Sequence, residues 1–403
     1  MIAITKPSSL SSAQVIRDLQ HVFANSRTFS PLKELSEAAS ANESHKSKRR
    51  RIDRDNVFKM GHGGTLDPMA TGVLIIGIGR GTKSLQNFLG CTKTYETVVL
   101  FGKSTDTYDV AGKVMSTKPT AQITKDLVEE KLAAFRGDIK QVPPIYSALK
   151  IKGMKAYEYA RTGKELPKEL AAREMTVDEC ALVEWSESGQ HGFRWPTDEV
   201  ESEERTTLAS MVPGVDVETT QKTTADGQTD IASSRRSRSA SPTRPISVTE
   251  KAKRHTHVVE GLSATPADAP AARIRLTVSS GFYVRSFCHD LGIACESYGT
   301  MAELARTRQG QYTVADPPQA DLVTALTYDD LQQSEEVWGP KIQAVLSNWL
   351  EKNPAPLQQH VAGENFRRSE GRRDRGGRGS DYGGKRKRNQ YHRDGGRNSS
   401  SPE

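Results

Sequence analysis

Residues 61–74 read GHGGTLDPMATGVL, and one aspartate, Asp67, stands in them between a glycine-rich turn and an aliphatic run. Glycines at 61, 63, 64 and 72 mark a backbone that bends sharply or approaches a ligand closely, as phosphate-cradling loops do. A nucleotide-binding P-loop is excluded, because it requires Gly-Lys-Ser/Thr in succession and the nearest candidate, GIGRGTKS, places Thr82 between Gly81 and Lys83. Asp-Pro by itself is an ordinary turn initiator. The run GVLIIGIG after it reads as a buried strand or the start of a helix.

Outward from this stretch the chain alternates between ordered and polar segments. MIAITKP reads as an opening strand and turn, and SSAQVIRDLQHVF (11–23) as a helix behind a serine cap, with Val15, Ile16, Leu19 and Phe23 on one face. TYETVVLFG (94–102) is β-branched and aromatic and predicts a strand. TKDLVEEKLAAF (124–135) predicts a second amphipathic helix. ARIRLTVSS (272–280) alternates as a strand, and VRSFCHDLGIACES follows as a helix. Strands and helices without a regular βαβ alternation indicate an α+β domain, which we place at residues 1–350.

Composition shows where the chain is not folded. Only 35% of the 403 residues are hydrophobic and the mean hydropathy is −0.62, too polar for a chain ordered throughout. Two insertions, at about 25–56 and 186–269, and a tail at 351–403 are expected to be disordered, since they have little apolar surface to offset ordering entropy. The first insertion contains SHKSKRRRIDR (44–54), whose basic cluster at 46–54 reads as a nuclear import signal. The Ser-rich, acid-poor first thirty residues also resemble a mitochondrial presequence. The second insertion becomes Ser/Thr-rich and then SSRRSRSASPTRPIS, with candidate phosphorylation sites. Residues 361–403 hold 12 Lys/Arg against 6 Asp/Glu, which accounts for nearly all of the net charge of +7. A near-neutral body with an Arg/Gly-rich arm carrying Tyr382 and Tyr391 points to a polyanionic partner, most simply RNA. Four scattered cysteines do not form a disulfide framework or a zinc-finger pattern, and no secretory signal or bilayer-spanning run is expected.

Four phrases, in this order, give the reading its specificity: KMGHGGTLDPMATGVLIIGIGRGTK, KTYETVVLFGKSTDTYDVAGK, VPPIYSALKIKGMKAYEYARTG and SSGFYVRSFCHDLG. Together they resemble the TruB family of tRNA pseudouridine synthases over residues 1–24, 57–185 and 270–315. The uninterrupted GHGGTLDP behind a long polar insert resembles the fungal and eukaryotic branch. The resemblance implies a pseudouridine synthase catalytic fold, with a central mixed, largely antiparallel sheet flanked by helices. It implies isomerisation of the T-loop uridine (position 55 in tRNA numbering), with the T arm of tRNA as partner and other structured RNA as a further candidate. It assigns catalysis to Asp67 and substrate binding to His62, Tyr95, Tyr283 and Arg285. No cofactor and no metal are implied, and a monomer is expected. Two departures stand out. The chain after Val314 is mostly helical and does not suit a complete PUA-type RNA-binding module, and Phe282 stands where the family often has a small hydroxylated residue.

The chemistry suits these residue types. Isomerisation breaks the bond from uracil N1 to the ribose, turns the base and rejoins it through C5, with no oxidation and no net water. An ionised carboxylate either attacks the anomeric carbon or removes the neighbouring hydrogen to give a glycal, and the sequence leaves both routes open. A free Asp, with pKa near ~3.9, is ionised at neutral pH, and Arg285 beside it would keep it so once substrate excludes water. The uridine must leave its stack, and we assign Tyr95 to replace the stacking, Tyr283 to guard the base and Leu304 to wall it. A non-catalytic RNA-binding or RNA-folding protein would explain the basic tail but not Asp67 in its glycine frame. An aspartyl-phosphate enzyme would need a lysine and further acids that DPMATG does not supply.

Overall fold

The aliphatic run after Asp67 is a strand and not a helix, and the rest of the sheet is assembled around it. The computed structural model describes residues 1–41, 57–162, 166–167, 169–201, 261–319 and 321–354, together with 205, 208, 212, 214 and 215. The basic cluster at 46–54, the Ser/Thr/Arg-rich stretch at 216–260 and the basic tail from 355 lie outside those residues. Residues Met1–Pro354 form one contact unit. None of the described helices is long and apolar enough to cross a membrane.

The strands are β1 (Ile2–Lys6), β2 (Met60–His62), β3 (Thr71–Ile78), β4 (Lys93–Phe101), β5 (Lys103–Thr105), β6 (Val114–Thr117), β7 (Gly137–Gln141), β8 (Lys150–Ile151), β9 (Met154–Lys155), β10 (Arg173–Ser186), β11 (Ala271–Val278), β12 (Gly299–Gln309), β13 (Tyr312–Thr313) and β14 (Val323–Thr324). The helices are α1 (Ser12–Ala24), α2 (Ser30–Ala41), α3 (Leu85–Gly90), α4 (Lys125–Leu132), α5 (Ala156–Arg161), α6 (Val284–Ala294), α7 (Tyr328–Gln332) and α8 (Glu335–Lys352). The main sheet runs β1-β3-β12-β4-β11-β10-β7, with β2 beside β3 and β13 and β14 beyond β12. Its pairs are antiparallel except β3 with β12 and β13 with β14. The α+β architecture with a mixed, largely antiparallel sheet is therefore what the chain adopts.

Local chemistry explains the elements that matter for the site. Ser11 caps α1 by accepting from the Gln14 amide at 3.1 Å, and Val15, Leu19 and Phe23 of that helix are buried against the sheet. Helix α6 covers the same face with Val284, Phe287, Cys288 and Leu291. Phe282 packs towards Phe287 at 6.3 Å, so the bulky departure at this position serves the core.

The structure narrows both expected insertions. The first was expected to be disordered from about residue 25, yet Ser30–Ala41 is helical. Phe29 stacks on Phe23 at 4.4 Å and on Phe58 at 5.9 Å, so one aromatic ties the start of the insert to the core. The second was expected to be disordered from 186 to 269, yet Phe193 and Trp195 pack on Val98, Leu100 and Ala271, on the sheet face opposite α6. The amide of Val114 donates to the Asp198 carbonyl at 2.8 Å and that of Val200 to the Val114 carbonyl at 2.9 Å, a one-residue parallel bridge of Glu199 to the start of β6. Two aromatics and a pair of ladder bonds offset the ordering entropy that composition alone assigned to disorder. At the C-terminal end, α8 continues to Lys352, just past the expected limit of 350.

Candidate active site

Asp67 lies in the loop between β2 and β3, and the first twelve residues of the chain hold that loop from below. Lys6, fully buried at the end of β1, donates to the carbonyls of Pro7, Leu10 and Pro68 at 2.8, 2.7 and 2.9 Å. Ser8 donates to the Met69 carbonyl at 3.0 Å, and Ser12 accepts from the Leu66 amide at 2.9 Å. From the other side, Arg306 on β12 donates to the carbonyls of Val73 (2.8 Å) and Gly64 (3.2 Å), and Gln309 to that of Gly63 (2.6 Å). Gly72 has φ +97° and a side chain there would meet the Arg306 carbonyl oxygen at 2.2 Å, so only glycine allows β3 and β12 to run parallel at this point. The loop is thus fixed by its backbone, and the Asp67 side chain is free to serve something else.

That side chain points at Arg285. Nε of Arg285 is 2.9 Å from Asp67 Oδ2, and its Nη2 is 3.5 Å from Oδ1. The arginine side chain is 8% exposed and the aspartate 36%, so the carboxylate faces open space with a buried cation behind it. The guanidinium is held by further acceptors: the carbonyls of Thr107 (2.9 Å) and Tyr146 (3.0 Å), and Asp109 Oδ2 at 3.7 Å from Nε. Asp109 accepts from the Thr107 hydroxyl at 2.7 Å and the Ala111 amide at 3.0 Å. Burial pushes its carboxyl above the usual range, against the pull of Arg285. Burial lowers the Lys6 ammonium to about 8, with Asp67 opposing and Arg306 adding to the fall.

Arg285 is aimed by the first turn of α6. Tyr283, at the cap of that helix, donates its amide to Gln141 Oε1 at 2.8 Å, and its carbonyl accepts from Gln141 Nε2 at 3.0 Å. The buried amide at the end of β7 therefore acts as a strand partner for one residue and sets the direction of the helix. On the far side, Tyr108 stacks on His289 of α6 at 4.2 Å, and Val200, Leu208 and Val212 from the stem of the second insertion pack against Tyr108. The insertion thus backs the turn that holds the arginine.

Of the six residues singled out in the sequence, Asp67 and Arg285 are in direct contact. Tyr283 lies beside them through its backbone. Tyr95 and Leu304, on neighbouring strands, are 8% and 7% exposed and belong to the same apolar cluster as Leu66 and Ala70 of the Asp67 loop. Leu304 also lines, with Met69 and Thr71, a groove of about 710 Å³ beside β12 and β3. His62 is half-buried at the end of β2, and no hydrogen bond or ion pair among the described residues joins it to Asp67. Burial first, and then Arg306, hold its imidazole below the usual range. Its Nδ1 is buried and has no hydrogen-bond partner among the described residues.

Sequence reasoning gave no role to Lys6, Arg306, Gln309, Asp109 and Gln141. Asp109 and Gln141 fall within or beside phrases that carried the family resemblance, and two acids in the short turn STDTYD were a usable signal. The others bond to main-chain carbonyls, which leave no mark in a sequence.

Residues 49–202 match the model of the TruB family pseudouridylate synthase N-terminal domain. The chain is 39% identical over 332 residues to tRNA pseudouridine synthase 4 of Schizosaccharomyces pombe, covering 78% of this chain and 80% of that one. It is 34% identical over 363 residues to tRNA pseudouridine synthase 4 of Saccharomyces cerevisiae, covering 86% and 84%. A crystal structure of a Cbf5-Nop10-Gar1 complex aligns over 82% of this chain and 53% of that one, at 17% identity and a TM-score of 0.39. With a relative this similar along most of both chains, and the Asp67 loop inside the matched segment, this chain belongs to the TruB family of pseudouridylate synthases.

Proposed function

We propose that the protein converts the T-loop uridine of tRNA to pseudouridine, with Asp67 as the catalytic carboxylate. The observation that carries this reading is the Asp67–Arg285 pair: a carboxylate open on one side and ion-paired to a buried guanidinium on the other. The N1–C1′ bond breaks, the uracil takes the bonding electrons, the base rotates, a C5–C1′ bond forms, the C5 hydrogen leaves as a proton and N1 takes one up. Asp67 meets the electron-deficient sugar either by bonding to C1′, a bond that breaks as C5 attacks, or by taking the proton from C2′ and returning it as the C5–C1′ bond forms, and both routes need it ionised. Arg285, 2.9 Å away, is the counterion that stays beside Asp67 while bound RNA excludes water. Tyr95 supplies an aromatic face for the extruded base, Leu304 its apolar wall, and Tyr283 the edge of the pocket, while His62 meets the nucleotides beside it. The two fungal relatives bear the name tRNA pseudouridine synthase 4, which supports tRNA as the substrate class. The basic residues of 361–403 add phosphate contacts, so truncation at 354 should flatten the salt dependence of binding.

Asp67→Asn tests the reading, because it keeps size and removes charge. Single-turnover release of tritium from 5-labelled uridine in an unmodified tRNA transcript should fall by more than about a thousandfold, ~4 kcal/mol of barrier, with binding retained. Turnover within about tenfold of wild type, ~1.4 kcal/mol, would remove Asp67 from the chemistry.

A further inference from the structure

A second cavity, of about 400 Å³, lies between α3, β13 and α8, and nothing in the proposed reaction uses it. Its floor is aromatic. Phe88 and Tyr312 meet at 5.8 Å with their rings tilted by 46°, and Trp349 lies beside them with the Arg80 guanidinium over its ring, 5.5 Å from the centroid. Its rim is made of carboxamides: Asn87, Gln311 and Asn348, all exposed. Among the described residues the side chains of Asn87 and Asn348 make no hydrogen bond, so their donors and acceptors are available. Lys352 completes the rim, and among the described residues no carboxylate lines this cavity, whereas the larger groove beside β12 includes Glu96 and Glu303.

Part-exposed Phe88 and Trp349 over the buried Tyr312, free amides, one lining cation and no acid are groups that hold an unpaired nucleotide: a ring stacks on the base, amides pair with its edge, and the cation meets its phosphate. The place in the fold agrees. Gln309 Nε2 donates both to the Gly63 carbonyl at 2.6 Å and to the Phe88 carbonyl at 2.9 Å, so the cavity is one short helix away from the loop that carries His62 and Asp67. Asn353, also on the rim, leads in sequence into the basic stretch.

We infer that this cavity binds one unpaired nucleotide of the RNA substrate, distinct from the uridine that is isomerised. The inference rests on the proposed RNA substrate, and its test separates the two. The full chain and two double variants, Asn87→Ala/Asn348→Ala and Asn87→Glu/Asn348→Glu, are titrated with an unmodified tRNA transcript at fixed salt. Tritium release is followed in the same samples. Both positions are exposed, so unfolding temperatures should match wild type. The alanine pair should weaken Kd by about fivefold, as expected for two lost hydrogen bonds, and the glutamate pair by more than about tenfold through added phosphate repulsion, with the loss appearing in KM. Ultraviolet cross-linking of the wild-type complex should put a nucleotide adduct on the peptide holding Phe88, Tyr312 or Trp349. Loss of affinity in the glutamate pair alone, without an adduct, would mean that RNA passes near the rim but no base enters, and would overturn the inference. So would a cavity protected from hydrogen exchange in the free protein and exposed on removal of 355–403, since the protein's own tail would then be the occupant. Absence of tritium release from the wild type would instead refute the proposed function.

Discussion

Two buried arginines hold opposite sides of the same loop, and they do so by different means. Arg285 faces carboxylates, Asp67 at 2.9 Å and Asp109 at 3.7 Å. Arg306, 1% exposed, bonds to the carbonyls of Val73 and Gly64 and makes no ion pair among the described residues. The first arrangement fixes where charge is, and the second fixes where backbone is. A charge partner can be exchanged for chemistry when substrate arrives, whereas a carbonyl tether cannot be released without opening the loop. The Arg285 side is therefore the working side, and the Arg306 side, with Lys6 and Gln309, is the mount.

The largest effect should come from removing the working charge. Arg285→Met should lower turnover by about a thousandfold, ~4 kcal/mol, because Asp67 loses its counterion and the buried Asp109 loses the cation that opposes the rise of its carboxyl. Arg285→Lys keeps the charge but not the planar fork that reaches Asp67 together with the Thr107 and Tyr146 carbonyls, so partial activity is expected. Single-turnover assays at saturating RNA measure both. If the methionine variant keeps turnover within about tenfold of wild type, the distinction between a working side and a mount disappears.

Arg306→Ala should affect stability first. It removes a fully buried side chain, leaves the Val73 and Gly64 carbonyls without those donors and opens a cavity, a loss of about 3 kcal/mol. Denaturant unfolding measures this directly. An alanine variant as stable as wild type but inactive would place Arg306 on the working side.

These two arginines also show what a sequence reveals and what it does not. Arg285 was legible through the family resemblance of its phrase SSGFYVRSFCHDLG, and its pairing with Asp67 could be argued because both partners are side chains. The regular elements were legible for a similar reason. Val15, Leu19 and Phe23 repeat at helical spacing, and Thr94 to Phe101 is rich in β-branched and aromatic residues. Arg306 was not legible, because its partners are carbonyls that every residue possesses and that only the parallel contact of β3 with β12 brings within reach. The ordered stems were hidden as well, since Phe29, Phe193 and Trp195 are isolated aromatics in polar stretches. Their value depends on the sheet and helix surfaces they land on.

The helix that carries Arg285 also carries a carboxyl with no cation paired to it among the described residues. Burial raises the Asp290 carboxyl to about 7 from an ordinary 3.8. Between those values the folded state holds a proton that the unfolded state has released, so this group makes stability fall as pH rises from about 4 to about 7. Asp290→Asn removes the loss. It should stabilise the protein by about 2 kcal/mol near pH 8 and by little near pH 4. Unfolding midpoints across that range test the sign. A variant equally stabilised at both ends would mean that Asp290 is ionised throughout and that packing accounts for the difference.

The smallest effect is expected where the chain is longest and most polar, provided that the cut respects the stem. Removing 216–260 takes away the Ser/Thr/Arg-rich stretch and keeps every described insertion residue that packs on the domain: Trp195 on Val98 and Leu100, and Val200, Leu208 and Val212 on Tyr108 and Met115. Joining 215 to 261 shortens a loop, whose closure entropy changes by only about 1 kcal/mol or less, so thermal unfolding and turnover should remain close to wild type. Removing 190–266 also deletes Trp195 and the bridge that Asp198–Val200 makes to Val114. That exposes Leu100 and leaves Tyr108 without the contacts that press it towards His289, and through it the Thr107 carbonyl and Asp109 lose their support against Arg285. The longer deletion should therefore lower both the unfolding temperature and turnover, and the loss of turnover should persist at temperatures where the variant is fully folded. Equal behaviour of the two deletions would show that the stem is a passenger on the domain, and that the Arg285 side holds its geometry by α6 and Gln141 alone.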